Sequence, residues 1–226
     1  MENLTIVNNN DIKSSSEIFK KTGIILIIVG VLDIFYMMYA IINMYSYSSS
    51  LNIFAVIAGI FLLKENIRLA RYIRWLCMLE LSAIGAMAIF LPFIMPVDLL
   101  IVQLKLHFFD IMISFSGSIL LIVITIWVYR QLSSEPILDE YKKAGYKTGI
   151  PQSAILIGVS SVIALVFLLS IFLGGESGTK ALTLANEKLG PDYKYFVSSI
   201  RTFNGNHHAT VIAYKEDEIK EIAVNW

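Results

Sequence analysis

Charge is what this chain most lacks. Asp, Glu, Lys and Arg together make up 16% of its 226 residues, where soluble domains carry about 25%. The 18 cations balance the 18 acids, which excludes the basic excess of a nucleic-acid binder. Cysteine is almost absent. The single Cys77 allows no intrachain disulfide and no thiol pair for a metal or a redox motif. With only three histidines, material for a zinc site is scarce, and no metal is expected. The chain contains no nucleophile elbow, His-Glu-x-x-His, P-loop or dinucleotide-binding glycine pattern. A recognisable enzyme is therefore not written here, and neither catalytic residues nor a cofactor are expected.

Apolar sequence is what the chain has in excess. Hydrophobic residues make up 56% of it, and mean hydropathy is +0.68. The excess lies in blocks of roughly 18–25 residues, the length a helix needs to cross a hydrocarbon core of about 30 Å. The expectation is an integral membrane protein: an all-α bundle of five transmembrane helices followed by a small α+β domain. The spans read as 23–44, 47–63, 73–95, 107–129 and 153–173. Span 2 is the weakest, since its apolar part, Leu51–Leu63, is thirteen residues long and includes Asn52. It must recruit Tyr45–Ser50 at one end and a snorkelling Lys64 at the other. A re-entrant hairpin is the alternative.

Residues 1–22 form a polar lead in which Ser14-x-x-Glu17 fits a capping box and predicts the start of the first helix. Residues 97–106, apolar but carrying Asp98 and Lys105, read as a segment lying along the interface. In the loop 130–152, Ile137–Ala144 predicts two helical turns closed by Gly145. Gly174–Gly178 reads as a linker. Beyond it, residues 179–226 read as a helix, Lys180–Leu189, and three antiparallel strands, with Asn204-Gly205 as a hairpin signal. Spans, linker and a helix–strand tail ending on Trp226 resemble the layout of small envelope domains appended to membrane anchors, PepSY-like domains among them. The likeness is confined to the tail and brings no site residue with it.

Cations orient such a chain, because excess Lys and Arg stay on the cytoplasmic side. Residues 1–22 carry three, 45–50 none, 64–74 four, 96–106 one and 130–152 four. The alternation predicts a cytoplasmic N-terminus and a periplasmic or extracellular C-terminus, in a bacterial inner membrane if the source is bacterial. A re-entrant span 2 would break it. Residues 174–226 hold six cations and seven acids, and a domain of that length translocates largely regardless of charge.

Within the spans, ionisable groups are the candidates for function. Asp33, Glu80, His107 and Asp110 form an expected intramembrane polar set, because a charge in lipid costs at least about 2.5–3.5 kcal/mol and must face a partner or the bundle interior. Asp33 and Glu80 serve a proton or cation path in one reading and interhelical hydrogen bonding in the other, while Asp110 lies shallow enough to be solvated. An enzyme site assembled from distant positions, such as Glu80 with His107, is the third reading. Lys64, Arg68, Arg71 and Arg74 form a basic island between spans 2 and 3, expected to contact lipid headgroups. Lys64, Arg68 and Arg71 would share one face if the helix continued through them. Ala55-x-x-x-Gly59, Ser82-x-x-x-Ala86 and Ala154-x-x-x-Gly158, with Ser114, Ser116, Gly117 and Ser118, place small residues where helices approach closely. By elimination, the expected role is non-enzymatic: a scaffold, assembly or regulatory protein that meets an envelope partner through residues 179–226. A small transporter is the alternative.

Overall fold

A computed structural model of the chain describes residues 9–44, 52–203 and 205–226, and the side chains of all but 9–13, 52, 110, 113 and 114. The expected turn at Tyr45–Ser50, the hairpin residue Asn204, and the side chains of Asp110 and Ser114 lie outside the described residues. Among the described residues, the helices are α1 (Asn9–Ile42), α2 (Asn52–Leu63), α3 (Ile67–Ile94), α4 (Val97–Leu106), α5 (Phe108–Leu132), α6 (Glu135–Lys143), α7 (Gln152–Gly174) and α8 (Glu176–Leu189). The strands β1 (Lys194–Phe203), β2 (Asn206–Lys215) and β3 (Glu218–Asn225) follow. Four helical stretches are long and apolar enough to cross a membrane: Ser14–Ile42, Ile67–Ile94, Phe115–Leu132 and Gln152–Gly174. The sequence predicts five. The fifth segment, α2, is apolar but has 12 residues, about 18 Å at 1.5 Å per residue.

The basic island is where local chemistry departs from the simplest reading. After α2 the Glu65 N–H bonds the Leu62 carbonyl at 2.8 Å and the Asn66 N–H bonds the Phe61 carbonyl at 3.3 Å. This double closure needs a left-handed residue, and Glu65 supplies it at φ 53°. Asn66 Oδ1 then accepts the Leu69 N–H at 3.1 Å, capping the start of α3. The helix is thus interrupted, and Lys64 does not continue the helical face of Arg68 and Arg71. Helix α1, for its part, begins ahead of Ser14, so that residue lies within the helix rather than capping it. The neighbouring hydroxyl of Ser16 donates to the Glu65 carboxylate.

The chain divides into two compact units. Met1–Leu81 with Ile122–Ala154 form one, and Ser82–Leu121 with Ile155–Trp226 the other. In the first, α1 and α2 pack backbone to backbone. A Cβ on Gly23 would stand 2.8 Å from the Gly59 carbonyl oxygen, and one on Gly59 would stand 2.6 Å from that of Gly23. The small-residue motif Ala55-x-x-x-Gly59 is therefore a contact surface, with Ala55 buried beside it. Phe19, Leu26, Leu62, Leu132, Ile137 and Tyr141 fill the core of this unit. Helix α6 ends on Gly145 at φ 75°, and the Tyr146 N–H reaches back to the Tyr141 carbonyl at 2.8 Å, the closure the sequence predicts.

In the second unit the three strands form an antiparallel sheet in the order β1-β2-β3. Alternation gives each strand two faces. On one face Val197, Ala209, Val211 and Val224 meet Ala181 and Ala185 of α8. On the other, Phe196, Ile212, Tyr214 and Ile219 meet Met95, Leu99 and Val102. The helix-and-three-strand tail is as predicted; its second covering helix, α4, is not. The residues expected as a linker, 174–178, span the corner between α7 and α8. There Gly178 packs so closely on Leu173 that a Cβ would fall 1.9 Å from its carbonyl oxygen.

Candidate functional site

The four cations of the island have four different surroundings. Lys64 is exposed at the end of α2, and Arg68 is exposed on the first turn of α3. Arg71 stacks its guanidinium over the Tyr146 ring at 4.2 Å from the centroid, a geometry that orients a cation while leaving its N–H edge available. Arg74 is only 4% exposed. Its Nε donates to Ser133 Oγ at 2.8 Å, and its Nη2 donates to the carbonyls of Thr148 and Gly149, each at 3.1 Å. The guanidinium also lies 5.7 Å from the Tyr129 ring centroid. A residue read from sequence as a headgroup contact is thus the pin that ties α3 to the end of α5 and to the segment preceding α7.

Beside this pin lies a cleft of about 1030 Å³, between Arg71–Trp75 and the segment Lys147–Ser153. Arg71, Arg74 and Lys147 bring three cations to it, and among the described residues no acidic side chain lines it. Trp75 Nε1 donates to Ser153 Oγ at 2.9 Å and closes one end. Lys147, Thr148, Gly149 and Ser153 were not singled out from sequence. They stand some 75 residues from α3 in the chain, and only the Lys147 charge was visible, counted as one of four in its loop.

The intramembrane set divides between the units. Asp33 lies on α1 and is half-buried. Glu80, on α3, is half-buried, and its Oε2 accepts the hydroxyl of buried Thr125 on α5 at 3.4 Å. That contact belongs to the same unit and gives an acid in a span a polar neighbour. His107 is exposed at the end of α4, where its N–H bonds the Gln103 carbonyl at 2.8 Å. Asp110 follows on the first turn of α5. Cys77 is buried one helical turn before Glu80.

The tail carries its own polar arrangement. Lys194 at the start of β1 pairs with Asp98 on α4. Glu218 accepts from the Tyr193 hydroxyl at 2.6 Å and pairs with Lys220 at 2.7 Å and Lys215 at 3.1 Å. Hydrogen bonding by Lys220, with that of Tyr193 and Lys215 behind it, holds the Glu218 carboxyl down at about 2. His207 stacks on Trp226 at a centroid distance of 5.2 Å and 12° between planes, and its Nδ1 lies 2.9 Å from Thr202 Oγ1. His208 instead contacts Asn225 Oδ1 through Nδ1 at 2.7 Å. The adjacent histidines therefore serve two different neighbours.

No family model matches the chain, and neither a curated protein nor a solved structure does, so its own residues carry the functional argument.

Proposed function

We propose that this is a five-span membrane protein that acts as a non-enzymatic scaffold, assembly or regulatory protein and contacts an envelope partner through its C-terminal domain. The observation that carries the reading is the seat of the sheet. It is covered by α8 on one face and by α4 on the other, with the Lys194–Asp98 pair beside the α4 contact. A domain held in this way presents fixed edges and tips rather than swinging on a tether. At the β1–β2 tip, Phe203 is 73% exposed, next to the stacked His207 and Trp226. An exposed aromatic at the end of a seated strand suits a protein contact.

The five-span topology draws support from α1 and α2. Gly23 lies against Gly59 and Ser16 against Glu65, an antiparallel register that returns the chain beside its starting point. Helix α2, Asn52–Leu63, thus runs back beside α1, which supports reading it as part of a span although it is short. The cation alternation supports the orientation proposed here, with residues 1–22, 64–74 and 130–152 cytoplasmic and the tail outside.

Two experiments test the proposal. A reporter fused after Trp226 reads the non-cytoplasmic side, and a cytoplasmic signal overturns the topology. A photo-crosslinking residue at Phe203 in intact cells yields a discrete adduct, which Leu99→Asp removes by unseating the sheet from α4. Absence of any adduct, together with loss of proton-linked flux in Asp33→Asn and Glu80→Gln variants, would move the function into the spans.

A further inference from the structure

The cationic cleft of the first unit has a charge account that protein groups do not close. Arg74 is almost fully buried, and burying a guanidinium costs several kcal/mol unless it is paired and hydrogen-bonded. Its three bonds go to neutral acceptors and use Nε and Nη2. Nη1 has no hydrogen-bond partner among the described residues, and neither Arg71, Arg74 nor Lys147 pairs with a carboxylate among them. Arg71 is aimed by an aromatic face instead, which leaves its donors for an outside acceptor. Three positive charges therefore converge on an open cleft that no acid among the described residues lines.

We propose that the cleft binds a phosphate group, and specifically the headgroup phosphate of an anionic phospholipid. Arg71 and Lys147 hold its oxygens, and the buried Arg74 supplies field from behind. Guanidinium donors match phosphate geometry in pairs, and a volume of about 1030 Å³ holds a whole headgroup. The walls favour a lipid over a soluble phosphate. Tyr72, Trp75, Ile150 and Pro151 line the cleft beside the cations. Tyr72 and Leu76, both about half exposed, stand one helical turn apart and carry an apolar stripe from the cleft along α3. Aromatic rings at the cleft suit the headgroup level. The inference rests on the chain being a membrane protein, and goes beyond the diffuse headgroup contact expected of the island by assigning a defined pocket that includes Lys147.

The test uses the full chain in nanodiscs of zwitterionic lipid doped with phosphatidylglycerol, and reads the anionic lipid that stays bound by native mass spectrometry. Arg71→Gln and Lys147→Gln should each lower retention about fivefold, the scale of one cation near a charged surface, and more than tenfold together. Lys64→Gln with Lys20→Gln, equal in charge, exposed and outside the cleft, should change it less than threefold. Equal losses from the two pairs would overturn the site and leave only diffuse attraction. Lack of anionic enrichment in the wild type would also overturn it, unless pyrophosphate binds with the same Arg71/Lys147 dependence, which would reassign the phosphate to a soluble compound. Failure of the chain to enter the bilayer would strike the membrane reading itself, and is seen before any lipid is counted.

Discussion

Gly23 and Gly59 meet so closely that a Cβ on either would lie under 3 Å from the other's carbonyl oxygen. Neither glycine has a neighbour in sequence that demands it, and each is fixed by the other. The contact joins α1 to α2 and sets the register in which Ser16 reaches Glu65. Gly59→Ala is expected to destabilise the protein by about 1–3 kcal/mol through overpacking. Gly117→Ala, where a Cβ meets nothing within 4 Å, should be neutral or stabilising. Unfolding in mixed detergent measures both, and equal effects would refute the close approach.

Arg74 tests the pin. Arg74→Leu leaves two carbonyls and the Ser133 hydroxyl without this donor, at about 1–3 kcal/mol for each group left buried and unsatisfied. Lys64→Leu, at an exposed position, should cost under about 0.5 kcal/mol. Proteolysis between α6 and α7 should quicken in the first variant only. If the loop stays as protected in Arg74→Leu as in wild type, the pin has no structural weight.

Tyr141 offers the opposite sign. Its hydroxyl is buried in the core of the first unit with no hydrogen-bond partner among the described residues, and burial pushes its ionisation up. Removing an unsatisfied buried group relieves a penalty, so Tyr141→Phe should leave stability unchanged or raise it by about 1 kcal/mol. A loss of more than that amount would show that the hydroxyl is bonded in solution.

Glu218 sets a pH dependence. Its folded carboxyl sits at about 2, held down by hydrogen bonds from Lys220, Tyr193 and Lys215, against an unfolded value of about 4.3. A depressed acid contributes stability that is present above the unfolded value and lost as pH falls through the folded one. The tail should therefore keep this contribution at neutral pH and lose it between roughly pH 5 and 2. Carbon-detected NMR of the Glu218 carboxyl should give a midpoint near 2, moved upward by Lys220→Ala. A wild-type midpoint at the ordinary carboxylate value would rule out the network in solution.

The Lys194–Asp98 pair links the tail to α4, but both side chains are more than half exposed. A double-mutant cycle should therefore give only about 0–1 kcal/mol. Leu99, fully buried between α4 and the sheet, should matter more. Leu99→Ala is expected to cost about 2–5 kcal/mol and to loosen the sheet, read as faster amide exchange along β2. A larger effect from the salt bridge than from Leu99 would reverse this account of what seats the domain.

Sequence alone determined what depends on composition and local pattern. The apolar blocks follow from lipid-length periodicity, the α6 terminus from Gly145, and the helix-and-three-strand tail from alternation and the Gly205 turn at φ 78°. Tertiary structure decided what depends on residues far apart in the chain. Nothing local announces that Asn66 and Glu65 would break the basic island, since a left-handed glutamate is unfavourable by itself and is tolerated where packing and the Ser16 bond hold it. Nor does any local pattern tell that Arg74, one of four similar cations, would be buried. Its partners Ser133, Thr148 and Gly149 are 59 to 75 residues away, and a charge is buried only where folding brings enough acceptors to it. The same reason hides the cleft: each side carries ordinary residues, and only their meeting concentrates three cations with no acid among the described residues that line it.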